Sequence, residues 1–229
     1  MEGLYMVLAS LPHLEHFTRM KRLPINEERL LGRIQMAPDP ARSTLLRVYD
    51  LLAWHRGSEH AHDRELLDRF RDMIGGSDNP TVRGVLRVRL RIRLVLTALR
   101  YQHQGRRAFP EHLDAFDLEP LLYTVRERWN QSCFGLQARF PAIVQADRLL
   151  REGRSEELER LLFDLTWDEL SEREHRSRTR RPFDLDELIV YVFKWDLARR
   201  WLLYDGDVAV ERFDRIIGEL VSPDDWRAA

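Results

Sequence analysis

The sequence predicts an all-α protein, a multi-helix bundle, and three observations carry that prediction. Helix starts recur as Asp, Asn or Ser, at two of them directly before Pro, and helix stops recur as Gly. The segments between them are too long and unbroken for strands. No hairpin signal, internal repeat or low-complexity tract interrupts the pattern. With 229 residues, 44% of them hydrophobic, the chain has enough material for one sizeable core. The expected organisation is a single all-helical domain over 1–229, with sub-bundles 1–104 and 110–229 divided at Gln102–Pro110.

The first element is the apolar run Leu4–Leu11, expected to be a short helix or strand packed on the bundle, since it is too short to cross a bilayer. It lacks a basic leading region and follows Glu2, so no signal peptide is expected. In "PDPARSTLLRVYDLLAWHRG", Asp39 serves as N-cap, Pro40 takes the first helical position and Gly57 ends the helix. The next helix starts at Ser58 and stops at Gly75–Gly76. Asn79 and Pro80 begin a long one that nothing breaks before Gln104–Gly105. Pro141 starts a helix that ends near Gly153, and Ser155 opens one reaching about His175. In "PFDLDEL", Asp184 and Glu187 have capping-box spacing, with Phe183 and Leu188 placed as a hydrophobic staple. That helix should run to Tyr204, and a last one should span about 207–221.

The segment "RGVLRVRLRIRLVLTALR" (83–100) contains a strict charge–apolar alternation from Arg87 to Leu94, which on its own reads as a strand. Its Pro-led start and its length favour a helix. At about 100° per residue, Val82, Val85, Leu86, Ile92, Leu96 and Leu99 form one apolar arc. Arg83, Arg87 and Arg91 fall at its edge or outside it, whereas Arg89, Arg93 and Arg100 lie within about 40° of one another near its middle. A buried guanidinium is costly unless paired, so carboxylates are expected opposite. The stripe Leu158, Leu162, Leu165 continues as Glu169 and Glu172, and these are the expected partners of Arg89 and Arg93. The competing readings are arginines that extend their heads out of the core edge, and a surface for an acidic partner.

Composition narrows the function. The 37 basic and 38 acidic side chains leave a net charge of -1, which weakens a nucleic-acid reading. Lys21 and Lys194 are the only lysines, so arginine supplies nearly all the positive charge. A single cysteine, Cys133, excludes an internal disulfide and is expected to be a small core or loop residue. A soluble, cytoplasmic protein is expected.

No phosphate-binding loop, dinucleotide fingerprint or nucleophile elbow occurs. His55, His60 and His62 lie close together but lack fixed acidic ligands, so a surface loop is preferred to a metal site. Lys194 has apolar helical neighbours in Val190, Tyr191, Leu197 and Ala198. It can extend its amine to the surface, form a buried ion pair or, least of all, act in catalysis. Asp196, Arg199 and Arg200 are expected on the wetter face of the same helix. No catalytic residue, cofactor, metal or small-molecule substrate is expected.

The two ends of the chain carry a resemblance. "LLFDLTWDELSE" and "RRPFDLDELIVYVFKWDLARRWLLYDGDVAVERFDRIIGEL" place Asp164, Trp167, Leu170 and Glu172, then Phe183, Leu188, Tyr191, Lys194, Arg200 and Trp201, then Phe213. "YMVLASLPHL" contributes Tyr5, Leu11 and Pro12. Together they resemble a bacterial family of unknown function encoded beside V-type (A/V-type) ATPase genes. Its members look like reduced counterparts of the helical connector that joins that enzyme's rotor shaft to its membrane ring. Gly206 precedes rather than follows the acidic turn, a departure from the family's pattern. The resemblance covers about a third of the chain and implies a non-catalytic role as such a connector. The implied partners are the rotor-shaft and membrane-ring subunits, and the membrane is met only through the complex. The alternative is a stand-alone helical regulator binding nucleic acid or protein through Arg83, Arg87, Arg91, Arg106 and Arg107.

Overall fold

The computed structural model describes residues 2–57 and 63–204. Among them lie α1 (Glu2–Ser10), α2 (Glu27–Gln35), α3 (Asp39–Gly57), α4 (Asp63–Gly75), α5 (Pro80–His103), α6 (Leu121–Glu127), α7 (Ala142–Arg151), α8 (Ser155–Arg180) and α9 (Leu185–Tyr204). Short 3-10 turns occupy Phe17–Arg19, Glu111–Phe116 and Ser132–Gly135, and the described residues contain no strand. The fold is an all-α multi-helix bundle. The helix expected over 207–221, with Phe213, lies outside the described residues, as do Gly206, His60 and His62. His55 belongs to α3.

Local chemistry accounts for the starts. The Asn79 carboxamide accepts hydrogen bonds from the N–H groups of Thr81 and Val82 at 2.8 and 2.9 Å, and Pro80 occupies the first turn of α5. At the head of α9, the Asp184 carboxylate accepts from Glu187 N–H at 3.1 Å, as a capping residue does. Glu187 reaches one residue further back than a capping box requires, accepting from Phe183 N–H at 2.7 Å. Phe183 is not buried as a staple on Leu188: it is 47% exposed and lies edge-on to Tyr5, with ring centroids 4.9 Å apart. α8 runs past the expected His175 to Arg180. Its last turns carry Glu169–Arg173, Glu172–Arg176 and Glu174–Arg178 four residues apart, the spacing that supports a solvated helix.

One hydrophobic core runs through both halves of the chain, across the Gln102–Pro110 segment. Its centre is α9, which packs against α8, α3, α5, α1 and the Phe17–Arg19 turn. Leu188, Ile189, Val190, Val192, Phe193, Trp195, Leu197 and Ala198 are all buried, the pattern of a helix covered on every side. Trp195 donates its indole N–H to the Ile25 carbonyl at 2.9 Å, fixing the segment before α2 onto it.

Being central, α9 carries Glu187, Lys194 and Asp196 into the interior. Asp196 is 1% exposed, which corrects the expectation of a wet face there: α5 packs against that side of α9. α5 is itself covered more widely than its arc predicts, because Leu90, Leu94 and Ala98 are buried as well. Cys133 is buried in the third 3-10 turn.

Candidate functional site

Pro12, Asp164, Trp167, Tyr191, Lys194, Arg200 and Trp201 come together at one junction, where the N-terminal segment lies on α8 and α9, whereas Glu172 pairs with Arg176 on its own helix. Its hub is Phe17, in the first 3-10 turn and fully buried. Trp201 of α9 lies 5.0 Å away, and Phe163 and Trp167 of α8 each lie 5.7 Å away, centroid to centroid. Edge and tilted contacts of this kind are the favoured arrangement for aromatic rings. His16 lies edge-on to Trp167 at 5.3 Å, and its Nε2 is 3.8 Å from the Asp164 carboxylate. Leu11 packs against the core. Tyr191 donates its hydroxyl hydrogen to the Pro12 carbonyl at 2.9 Å, and burial holds that phenol above the usual tyrosine range.

Lys194 resolves in favour of the buried ion pair. Its Nζ is 2.6 Å from Glu174 Oε2 and 4.9 Å from the centre of the Trp167 ring. The ammonium thus has a carboxylate and an aromatic face, the two neighbours that stabilise a cation out of water. Arg200 adds a second cation over an aromatic ring, with Cζ 5.5 Å from the centre of Phe163. Arg199 is paired with Glu27 of α2. His16, Phe17, Phe163 and Glu174 are members of this junction that the motif residues do not mark. Leu14 and Phe17, three apart, are the available signal for the turn; Glu174 continues the acidic run of α8.

The expected arginine network is corrected. Arg89 does not meet Glu169: it faces Asp196 of α9, with Nη2 3.7 Å from Oδ2, and lies 5.3 Å from the centre of the Phe193 ring. Glu169 is engaged by Arg173 at 2.6 Å and Glu172 by Arg176 at 3.2 Å, both on their own helix. Gly84 of α5 explains why. A side chain there would run into the Arg173 guanidinium, which lies against the bare backbone and takes up Glu169. Glycine inside a helix costs about 1 kcal/mol relative to alanine, and here it makes room for that arginine. Arg93 is half-buried, and Arg100, expected to face inward, is exposed in the last turn of α5.

A direct charge-assisted hydrogen bond spans about 2.7–2.9 Å, so the Arg89–Asp196 separation leaves Arg89 Nη2 buried with no hydrogen-bond acceptor. Burial pushes the Arg89 pKa down to about 10; Asp196 opposes that shift and Arg200 adds to it.

Of the arginines proposed for a nucleic-acid surface, Arg87, Arg106 and Arg107 are exposed, while Arg83 and Arg91 are half-buried. Arg83 is committed to the Ser77 carbonyl at 3.0 Å, and Arg106 lies over the Tyr101 ring at 4.7 Å. Among the described residues, no three His, Cys, Asp or Glu side chains are grouped to hold a metal. Comparison with protein-family models, curated proteins and solved structures gives no match.

Proposed function

We propose that this chain is a non-catalytic subunit or accessory protein of a bacterial V-type ATPase, a helical connector between rotor shaft and membrane ring. The observation that supports this reading is the surface pair Tyr5–Phe183. Both residues belong to the resemblance, they come from opposite ends of the chain, and they are 49% and 47% exposed. Half-exposed aromatics packed on each other are the type of side chain that dominates protein–protein hot spots.

The backbone at Phe183 adds support. Its φ of 63° is left-handed, a conformation costly for a bulky L-residue and worth about 1–3 kcal/mol of strain. Glu187 holds it by accepting Phe183 N–H, and Arg178 in turn holds Glu187 at 3.2 Å. Strain of this kind persists where surrounding contacts enforce it, and it presents the ring outward beside Tyr5.

A connector transmits force, which needs stiff elements and two docking surfaces. α8 alone is 26 residues long, roughly 39 Å of helix, and α9 is clamped against it. Among the described residues no helix is long and apolar enough to cross a membrane, so the proposed route to the membrane is through partner subunits. The test is co-expression and pull-down with V-type rotor-shaft and membrane-ring subunits. The expected result is capture of at least one, weakened by Tyr5→Ala or Phe183→Ala without loss of folding. Failure to retain either of them overturns the reading.

A further inference from the structure

Of the seven large apolar side chains exposed among the described residues, four gather around α1: Tyr5, Met6, Met36 and Phe183. Met6 is 59% and Met36 51% exposed. Gly3 seats α1 on the Pro38 ring, since a β-carbon there would stand 2.9 Å from it, and Met36 is two residues from Pro38. Tyr5 meets Phe183 from the same helix, and Met6 and Ala9 are exposed beside it. From Gly3 to Ser10, α1 carries no charged side chain, so its outer face is apolar.

Arginines border this face in two places. Arg33 donates to the Met36 sulfur at 3.8 Å, and Arg180 and Arg181 stand exposed just before Phe183. None of the three makes an ion pair with a described residue. For Arg180 and Arg181 the reason is sequence spacing. Arg173, Arg176 and Arg178 each pair with a glutamate four residues earlier, but the corresponding positions for Arg180 and Arg181 hold Arg176 and Ser177. The helix dipole favours positive charge at the end of α8, yet leaves their N–H donors open. The carboxylates nearby are already engaged: Asp184 accepts from the Ser177 hydroxyl at 2.7 Å and from Glu187 N–H at 3.1 Å, and Asp186 from the Asn79 carboxamide at 2.9 Å.

We propose that Tyr5, Met6, Met36 and Phe183, bordered by Arg33, Arg180 and Arg181, form one docking face for a protein surface that is apolar at its centre and acidic at its rim. This rests on the connector reading and states the chemistry of the subunit surface that meets this face. Tyr, Phe, Met and Arg are the side chains enriched at protein interfaces. The apolar centre supplies affinity, and the open arginines supply orientation and speed of encounter. An anionic membrane is the poorer fit. Its electrostatic recognition takes about four to eight Lys or Arg together, whereas this border has three, in a chain of net charge -1.

The test measures association of the full chain with the V-type rotor-shaft or membrane-ring subunit that it captures, by surface plasmon resonance at low and high salt. The Met6→Ala/Met36→Ala protein should bind about fivefold more weakly or worse. The Arg180→Glu/Arg181→Glu protein should associate about tenfold more slowly at low salt, and the difference should shrink at high salt. Arg107→Glu is the control. Pro80 lines the same cleft as Arg180 and Arg181, and Arg107 lies beyond the far end of α5, 24 residues or about 36 Å of helix away. All these side chains are exposed, and melting curves verify folding. Capture that is lowered by Tyr5→Ala or Phe183→Ala but indifferent to the methionine and arginine changes overturns this inference and leaves the connector reading standing. An equal effect of Arg107→Glu overturns it too. Absence of capture by either subunit overturns both, and sedimentation with phosphatidylglycerol vesicles in that case assigns the face to lipid.

Discussion

Lys194 of α9 and Arg89 of α5 are both cations withdrawn from solvent, and they are treated differently. Lys194, in the aromatic junction, has Glu174 at 2.6 Å and the Trp167 ring beneath it. Arg89, between α5 and α9, has Asp196 at 3.7 Å and an Nη2 with no acceptor. Both sit beside a carboxylate in a closely packed interior, yet one pair is closed and the other is held apart. A lysine ends in a compact point charge on a flexible stem and can be drawn fully onto one acid. A planar guanidinium with five donors is harder to satisfy from one side, and Arg89 lines a cavity. The closed pair registers α8 against α9; the open one leaves a guanidinium N–H without an acceptor.

The comparison can be broken by mutation, and the largest effect is expected at the closed pair. Glu174→Leu leaves the Lys194 ammonium buried without its acid and should lower unfolding free energy by about 3 kcal/mol in urea denaturation, the low end for a broken buried pair. A quarter of the Glu174 side chain is exposed, which places the effect there. Double-mutant cycles sharpen the contrast. The Lys194→Met/Glu174→Leu cycle should give a coupling of about 2 kcal/mol and the Arg89→Met/Asp196→Leu cycle under about 1 kcal/mol. Equal couplings would erase the distinction.

Replacing the open pair outright should be nearly neutral or slightly favourable. The Arg89→Met/Asp196→Leu protein is expected to be as stable as the parent, or more stable by about 1 kcal/mol, because an imperfectly bonded pair barely offsets its desolvation. A loss of several kcal/mol would mean that the pair is better satisfied than its geometry indicates.

The smallest effect is spectroscopic. The Arg89 guanidinium carbon should titrate near pH 10 by nuclear magnetic resonance, below the usual arginine range, and Asp196→Asn should move it lower. The sign for stability follows. Because the folded protein releases this proton before the unfolded chain does, the penalty for burying Arg89 charged is present below about pH 10 and is relieved as pH rises from there towards the usual arginine range.

The helices of this protein are legible because their signals are local. Asn79–Pro80 starts α5 and Asp184 caps α9 through bonds to residues two or three positions away, a range any sequence reading spans. The same holds for the alternation in 87–94: length and a Pro-led start separate helix from strand with no knowledge of neighbours. The extra turn of α8 and the 3-10 turns of 111–135 are not legible in this way, the first because paired charges prolong a helix without apolar periodicity. Lys194 is legible as an anomaly, an amine among apolar neighbours, though not as the partner of Glu174.

The helical class, most of the starts and stops, and the side chains that are electrostatically out of place are therefore readable along the chain. Which charge answers which is set by the packing of the helices. Glu169 is a sound candidate for Arg89 by stripe and charge, but Gly84 lets Arg173 occupy that space, and Asp196 reaches Arg89 from a helix expected to show solvent there. Periodicity fixes the angle of a side chain around its own helix; the partner depends on which faces of other helices meet it, and that is set by the packing of the whole core.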